Sequence, residues 1–385
     1  MQFGPRAPLA PAETLLEPGV LKAIAGGPVD MKQLAPSLIA GTDREAGEIV
    51  VISPAGKGIV ADAALQKLNT LIEANTLPRP ARSIRFLTSQ LNTFQTSTLP
   101  PPQAAKAAVM VVDFTVPTRQ VIRGLWSTAN VSDEVVEVFA HHASGAVSVE
   151  PYRDVGQPKW ESSGIPVTTI LTGDNTEPFV DGAILVASSV YFLATLPNAG
   201  SEALLSHLTV GAHARLSEDG RKAVAQMGSQ QRASAEVLIM FGQAIEREQR
   251  RMRSFERFMP APVDPMLHSR ILDMEKSITS VWTSMGITSS PFVPAAERIR
   301  GRGGEDRRIV TRVGTGPLPT PEPPTAMLKF PNVDVVIYEL GNFIDGKRSI
   351  SDIRDAVSAE FGPIALPVVV DYFERLAKAG AVSIK

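Results

Sequence analysis

The chain has 385 residues, 38 of them basic and 40 acidic, for a formal net charge of −2. That balance excludes a globally basic nucleic-acid binder and a long acidic tail. The absence of cysteine excludes disulfide scaffolds, thiolate metal sites and cysteine nucleophiles.

Residues 1–29 read as an N-terminal extension without an apolar run of signal-peptide length. No stretch reaches the roughly 18 apolar residues of a spanning helix, and the most apolar segment, Gly182 to Leu196, is expected to be a buried helix. As written, the chain is expected to be cytoplasmic, or extracytoplasmic if an export signal is missing. Residues 30–200 alternate between two periods. Ile49 to Ser53 has the length and composition of a strand. Ile59 to Ala74 follows with Leu65, Leu68, Leu71 and Ile72 at helical spacing. Ser83 to Leu87 is the next strand, and Ala107 to Phe114 is a near-continuous apolar run, as in a central strand buried on both faces. Val121 to Trp126 is a further strand. Ser132 is placed to cap a helix that runs to His142. Ile165 to Leu171 is a strand and Phe179 to Leu196 a helix. This rhythm predicts an α/β sandwich with a mostly parallel sheet.

Residues 201–286 read as helical: Ser201 to Ser217, Gly220 to Met259 and Pro265 to Met285. Within them Glu246 to Arg257 carries five arginines and three glutamates, expected as a solvated face with i,i+4 pairs. Residues 287–329, with GRGGEDRR (Gly301 to Arg308) and PLPTPEPP (Pro317 to Pro324), read as a linker. Residues 330–385 read as a separate unit of three helices. Asp345-Gly346 forms a turn, Ser349 and Asp352 form a capping box, Gly380 lies past the last helix, and Ala381 to Ile384 forms an edge strand.

Three stretches resemble the two-zinc aminopeptidase family, whose relatives include glutamate carboxypeptidase and the transferrin receptor. They are EIVVISPAGKGIVADAALQKL followed by LPRPARSIRFL, then VMVVDFTV, then GIPVTTILTGDNTEPFVDGAILVASSVYFLATL. The resemblance implies a three-layer α/β sandwich and a site of two imidazoles, a bridging carboxylate, one further carboxylate per metal and a glutamate base. Where that family has its first histidine, this chain has Ser53-Pro54-Ala55-Gly56, and where it has its last, Leu171-Thr172-Gly173. The glutamate pair is replaced by Thr88-Ser89-Gln90-Leu91-Asn92. Asp62 stands one position from the bridging aspartate, and Asp113 is the one clean match. A single carboxylate does not hold catalytic zinc. The resemblance therefore implies a catalytically silent protein without a cofactor, acting in binding or assembly. The alternative is an active metal-dependent hydrolase using zinc at an atypical site near Asp62 and Asp113. A structural role for Asp113, accepting backbone amides at a strand end, is open beside both.

Other chemistry is sparse. His141 and His142 are adjacent at a helix end and diverge by about 100°. His207, His213 and His268 lie in the helical region. Neither a Gly-x-Ser-x-Gly elbow nor a phosphate-binding loop occurs. The last unit, through ELGNFIDGKRSISDI and VVDYFERLAKAGAV, resembles small winged-helix modules of larger aminopeptidase relatives. It also resembles the peptide-binding chaperone module of pyrroloquinoline-quinone biosynthesis. That resemblance implies a protein or peptide partner, with Lys347, Arg348 and the edge near Val382 as contacts and the peptide adding as a strand. No nucleic-acid partner is expected.

Overall fold

The computed structural model describes residues 11–29, 35–54, 58–89, 102–113, 119–143, 147–150, 152, 155–160, 164–172, 176–196, 200–227, 235–259, 306–314, 318–319, 321–330 and 332–385, with single positions between 265 and 276. They divide into two compact units. One is Pro8–Val210 with Arg251–Leu267; the other is Met1–Ala7, Gly211–Arg250 and His268–Lys385.

The first unit is built on a seven-stranded sheet. In chain order the strands are β1 (Leu38–Ile39), β2 (Glu48–Pro54), β3 (Ser83–Ser89), β4 (Ala105–Asp113), β5 (Arg119–Ile122), β6 (Val147–Glu150) and β7 (Val167–Thr172). Across the sheet they run β1-β3-β2-β4-β7-β5-β6. β3, β2, β4 and β7 are mutually parallel, β1 is antiparallel on one edge, and β5 runs against β7 but parallel to β6. The sheet is therefore mostly parallel, and β4 is its middle strand, as its unbroken apolar run predicts. Valines and isoleucines suit this position because their branched Cβ packs on a pleated surface.

Among the described residues, the helices of this unit before Ser201 are α1 (Ala12–Leu15), α2 (Pro18–Gly26), α3 (Ile59–Glu73), α4 (Val131–Ala143) and α5 (Thr176–Thr195). α5 lies between α3 and α4 as one layer against the sheet. From Ala183 to Leu196 it buries Leu185, Val186, Val190, Phe192 and Leu193 completely, which accounts for its apolar sequence. No single helix among the described residues is long and apolar enough to cross a membrane. On the opposite face, the described cover over Val50, Ile52, Met110 and Val112 is the segment around Trp160, with Val155 and Ile165. Of that segment's described residues, Val155 to Lys159 are irregular and Trp160 begins a helical turn.

Two boundaries differ from expectation. The strand expected at Val121 to Trp126 ends at Ile122. Beyond it, the Gly124 N–H leaves the ladder and donates to Asp133 Oδ2 at 3.0 Å. The cap of α4 is Asn130 rather than Ser132. Its Oδ1 accepts the N–H groups of Ser132 and Asp133 at 2.8 and 3.2 Å, which satisfies two orphan donors of the first turn.

The second unit contains most of α6 (Ser201–Met227) and α7 (Ala235–Arg253), then β8 (Val310–Arg312), α8 (Val333–Asn342), α9 (Ile350–Phe361), α10 (Leu366–Lys378) and β9 (Val382–Ile384). α6 is continuous through Gly211 and Gly220, where two helices were expected. The helix expected at Pro265 to Met285 lies largely outside the described residues, as does most of GRGGEDRR. β8 pairs antiparallel with β9, Val310 against Ile384. Val310, fully buried, joins Val336, Leu340, Ile353, Val369, Phe373 and Leu376 in one core. The later part of the expected linker is thus built into this core. Ser349 and Asp352 form the expected capping box. Gly346 takes φ +73° in the turn between α8 and α9, a conformation open to glycine at no steric cost.

Candidate functional site

Asp113 is the last residue of β4. Side chains alternate across a strand. Ala108, Met110 and Val112 share the face covered by Trp160, so Asp113 points to the face that carries the helices. There it is 7% exposed. Its Oδ2 accepts the Ile59 N–H at 2.8 Å and its Oδ1 accepts the Thr172 hydroxyl at 2.9 Å. Ile59 is the first residue of α3, and the cap position before it is Gly58, which has no side chain to offer. Only glycine fits there, because a Cβ would lie 2.5 Å from the Ser53 hydroxyl oxygen. β2 and α3 are packed too closely for a self-capping residue, and the neighbouring strand supplies the acceptor. The carboxylate also lies where the helix dipole favours negative charge.

Asp62 sits in the first turn of α3. Its carboxyl is raised above the ordinary range, first by burial, then by repulsion from Asp113, against a lowering hydrogen bond from the Ala35 backbone. The two aspartates singled out in the sequence are therefore brought together at the carboxyl edge of the parallel strands, where open α/β sheets carry their ligand crevices. The donor set does not fit a two-zinc centre. Both oxygens of Asp113 are engaged by protein donors, and neither neighbouring strand end supplies an imidazole: β2 ends in Ser53-Pro54 and β7 in Leu171-Thr172. Among the described residues no three histidines, cysteines or acidic side chains converge as a metal site. The Thr88 to Asn92 stretch lies partly outside the described residues, and so do Ala55, Gly56, Lys57 and Gly173.

The histidines lie elsewhere. His141 and His142 are in the last turn of α4, with His142 Nδ1 3.3 Å from Glu13; His268 is outside the described residues. His207 belongs to a buried charged cluster that the sequence does not announce. Glu134 and Glu137, 1% and 0% exposed, lie on α4 with Asp133. Glu134 has His207 Nε2 at 3.7 Å, Arg251 Nε at 3.4 Å and Arg123 Nη2 at 3.8 Å, and Arg123 also pairs with Glu137. Asp133 accepts from the Thr168 hydroxyl at 2.7 Å, from Gly124 N–H and from Asn130 Nδ2 at 3.3 Å. Burial pushes its carboxyl up to about 6 despite these donors and the nearby Arg123 and Arg251. Thr168 and Thr172 are four residues apart on β7, so this cluster lies ~13 Å along the strand from Asp113.

The run Glu246 to Arg257, expected as a solvated face with i,i+4 pairs, is so in part: Glu246 pairs with Arg250 at 3.6 Å and Arg253 is exposed, while other charges of the run turn inward. Glu248 is fully buried and Arg247 and Arg251 nearly so. Arg215 grips Glu248 with Nε at 3.1 Å and Nη2 at 2.8 Å, and Arg247 bridges Glu248 and Asp219. Buried charges of this kind persist only when paired.

In the second unit, Lys347 is exposed and its N–H donates to Asp345 Oδ1 at 2.9 Å. Arg348 is occupied. Its Nη1 lies 2.7 Å from Asp345, its Nη2 3.7 Å from Glu246, and its guanidinium lies 5.3 Å from the Phe343 ring centre. Arg250 stacks on the same ring, also at 5.3 Å. β9, expected as an open edge near Val382, has β8 on one side.

Comparison with protein-family models gives no match, and comparison with curated proteins gives none. Among solved structures, a crystal structure described as a "putative peptidase" from Clostridium acetobutylicum is similar over 90% of this chain, with 10% identity and a TM-score of 0.30. This chain spans 59% of that protein's length. At this TM-score and identity the likeness carries no argument.

Proposed function

We propose that the chain is a catalytically silent protein with a zinc-exopeptidase-like, three-layer α/β domain and a winged-helix-like C-terminal module, and that it acts in binding or assembly with a protein or peptide partner. The observation that carries the reading is the employment of Asp113. The one retained ligand position accepts hydrogen bonds from Ile59 and Thr172, the work of a helix cap. The missing imidazoles and glutamate base at the matching sequence positions support the same reading. The reading requires no cofactor. Partner contacts fall on the C-terminal module, with Lys347 among its exposed cations and the β9 edge away from β8, to which no described strand is paired, as the place for a peptide strand.

Purified protein is expected to carry no stoichiometric zinc by elemental analysis and to leave aminoacyl chromogenic substrates intact. About two zinc ions per chain, lost together with activity in Asp113→Ala, would overturn the reading. One observation favours a second reading, a metal-dependent hydrolase of atypical site: after burial, repulsion from Asp113 also raises the Asp62 carboxyl. Metal content separates the two.

A further inference from the structure

We propose that residues 12–27 form a strap that is latched to the α/β unit by Lys67 and opens as one piece ahead of the sheet, uncovering the part of α5 beneath it. The expected N-terminal extension is, from Ala12 on, packed into this unit: α1 lies on α4, and α2 lies on α3 and α5. Ala12, Leu15, Leu16, Leu21 and Ile24 are buried, Ile24 completely. This cover helps to explain α5. A helix on the surface of a domain keeps a polar face, yet every residue of α5 from Leu185 to Ala194 is buried. The seat is close at both ends. Gly27, where α2 stops, is buried, and a Cβ there would lie 2.9 Å from Lys67 Cγ and 3.0 Å from Leu71 Cδ1. At Gly200, with φ +71°, a Cβ would lie 2.5 Å from the Leu15 carbonyl oxygen.

Lys67 is the latch. It lies on α3 and is 3% exposed. Among the described residues its ammonium donates to the Gly27 carbonyl and, at 3.4 Å, to the Ala25 carbonyl. Those carbonyls stand at the end of α2, where a helix leaves its last acceptors without intrahelical partners and its dipole favours a cation. A buried ammonium is costly unless it is hydrogen-bonded, so latch and strap depend on each other. Opening as one piece follows from length. α1 has four residues and α2 nine, and helices this short are marginal in water without packing. Once off its seat the strap has nothing to keep it folded, and Gly26-Gly27-Pro28 supplies the hinge. β4, by contrast, is held between two hydrogen-bonded neighbours. Local opening draws on the segments with the least buried apolar contact.

The test uses the full-length protein and two readouts. Hydrogen exchange is followed at residues 18–27 with β4 as an internal control. Acetylation by acetic anhydride is followed by mass spectrometry at Lys67, with Lys22, exposed on the strap itself, as the reference. In the wild type the strap amides are expected to exchange as a group at least about tenfold faster than β4, and Lys67 to lag Lys22 by at least about tenfold. Ile24→Ala removes a fully buried anchor and should raise strap exchange and Lys67 acetylation together by about tenfold or more, with β4 unchanged. Lys67→Met keeps the aliphatic stem and removes the donor, and should raise strap exchange about fivefold. The proposal is overturned by strap amides that exchange only together with β4, by Lys67 reacting as fast as Lys22, by the two readouts failing to rise together in Ile24→Ala, or by strap exchange unchanged in Lys67→Met. Should Ile24→Ala fail to fold, the wild type and Lys67→Met decide it.

Discussion

The employment of Asp113 gives the sharpest test of how this sheet is used. Replacing it by alanine removes the acceptor for the Ile59 N–H and the Thr172 hydroxyl, bonds of 2.8 and 2.9 Å in a site only 7% exposed. Hydrogen bonds to a charged group contribute roughly 1.5–3 kcal/mol each, and lost helix caps about 1 kcal/mol. Relief of the repulsion with Asp62 offsets part of this, so Asp113→Ala should cost about 2–4 kcal/mol. Asparagine is nearly isosteric. Its oxygen can still accept from Ile59, and its amide can donate to Thr172, whose hydroxyl accepts as well as donates. What is lost is charge at a helix N-terminus, about 0.3–1 kcal/mol. Asp113→Asn should therefore stay within about 1 kcal/mol of wild type. Urea unfolding followed by tryptophan fluorescence in a Trp282→Phe background reads the right unit, since Trp126 and Trp160 both lie in it and Trp282 belongs to the other. With a slope of roughly 3 kcal/mol per molar urea, alanine should lower the midpoint by about 1 M and asparagine by a small fraction of that. If asparagine is as damaging as alanine and the loss is reversed by added zinc, the carboxylate is a metal ligand and the capping argument fails.

Asp62→Asn should stabilise the α/β unit at neutral pH. Its folded-state carboxyl is raised, so its protonated form favours the fold and that contribution is lost as pH rises through the folded value; the partly exposed site limits the gain to about 0.5–1 kcal/mol at pH 7, vanishing near pH 3, by urea midpoints at both. Ser349→Ala and Asp352→Ala each break the reciprocal capping box and should each lower the stability of the C-terminal module by about 1 kcal/mol, with the double variant costing less than the sum. Val310→Ala, at a fully buried position in the same core, should cost about 2 kcal/mol in thermal or urea unfolding. A fragment of residues 306–385 should melt cooperatively by circular dichroism, whereas residues 330–385, without β8, should not. Equal stability of the two fragments would show that β8 contributes nothing.

Much of the fold is legible because burial writes itself into local sequence. IVVIS and AAVMVVD are continuous apolar runs of strand length, and they are β2 and β4. α9 begins at its capping box and α10 ends just before Gly380. Less legible are elements that depend on partners far along the chain. β1 is two residues and exists through its pairing with β3. β8 is VTR in a stretch dense with glycine and proline, and it becomes a strand because β9, some 70 residues later, offers its edge. α6 passes through Gly211 and Gly220 although each glycine costs helix propensity of about 1 kcal/mol; packing on its buried positions, such as Leu208, Ala212 and Leu216, outweighs that.

The candidate site follows the same division. The alternation of the VMVVD strand puts Asp113 on the opposite face from Val112, and its place at the strand end is readable. Its partner is not, because Ile59 is 54 residues earlier. The nearest local hint is Gly58: a helix that starts after a glycine has no side chain at its cap, so an acceptor must arrive from another element. The charged cluster carries a comparable hint in Asp133, Glu134 and Glu137, which interrupt a helix whose other residues from Val131 to Ala140 are also buried. A helix with acids and no solvated face must pair them internally. The run Glu246 to Arg257 could not be read so directly, since i,i+4 spacing of opposite charges serves an exposed face and a buried network equally well. What separates the two is the apolar company, here Met252, Phe255 and Phe258, all buried. Arginines interleaved with such residues lie against a core, and a guanidinium against a core needs a carboxylate placed for it in advance. For Arg251 that carboxylate is Glu134, more than a hundred residues away, a distance over which local pattern carries no information.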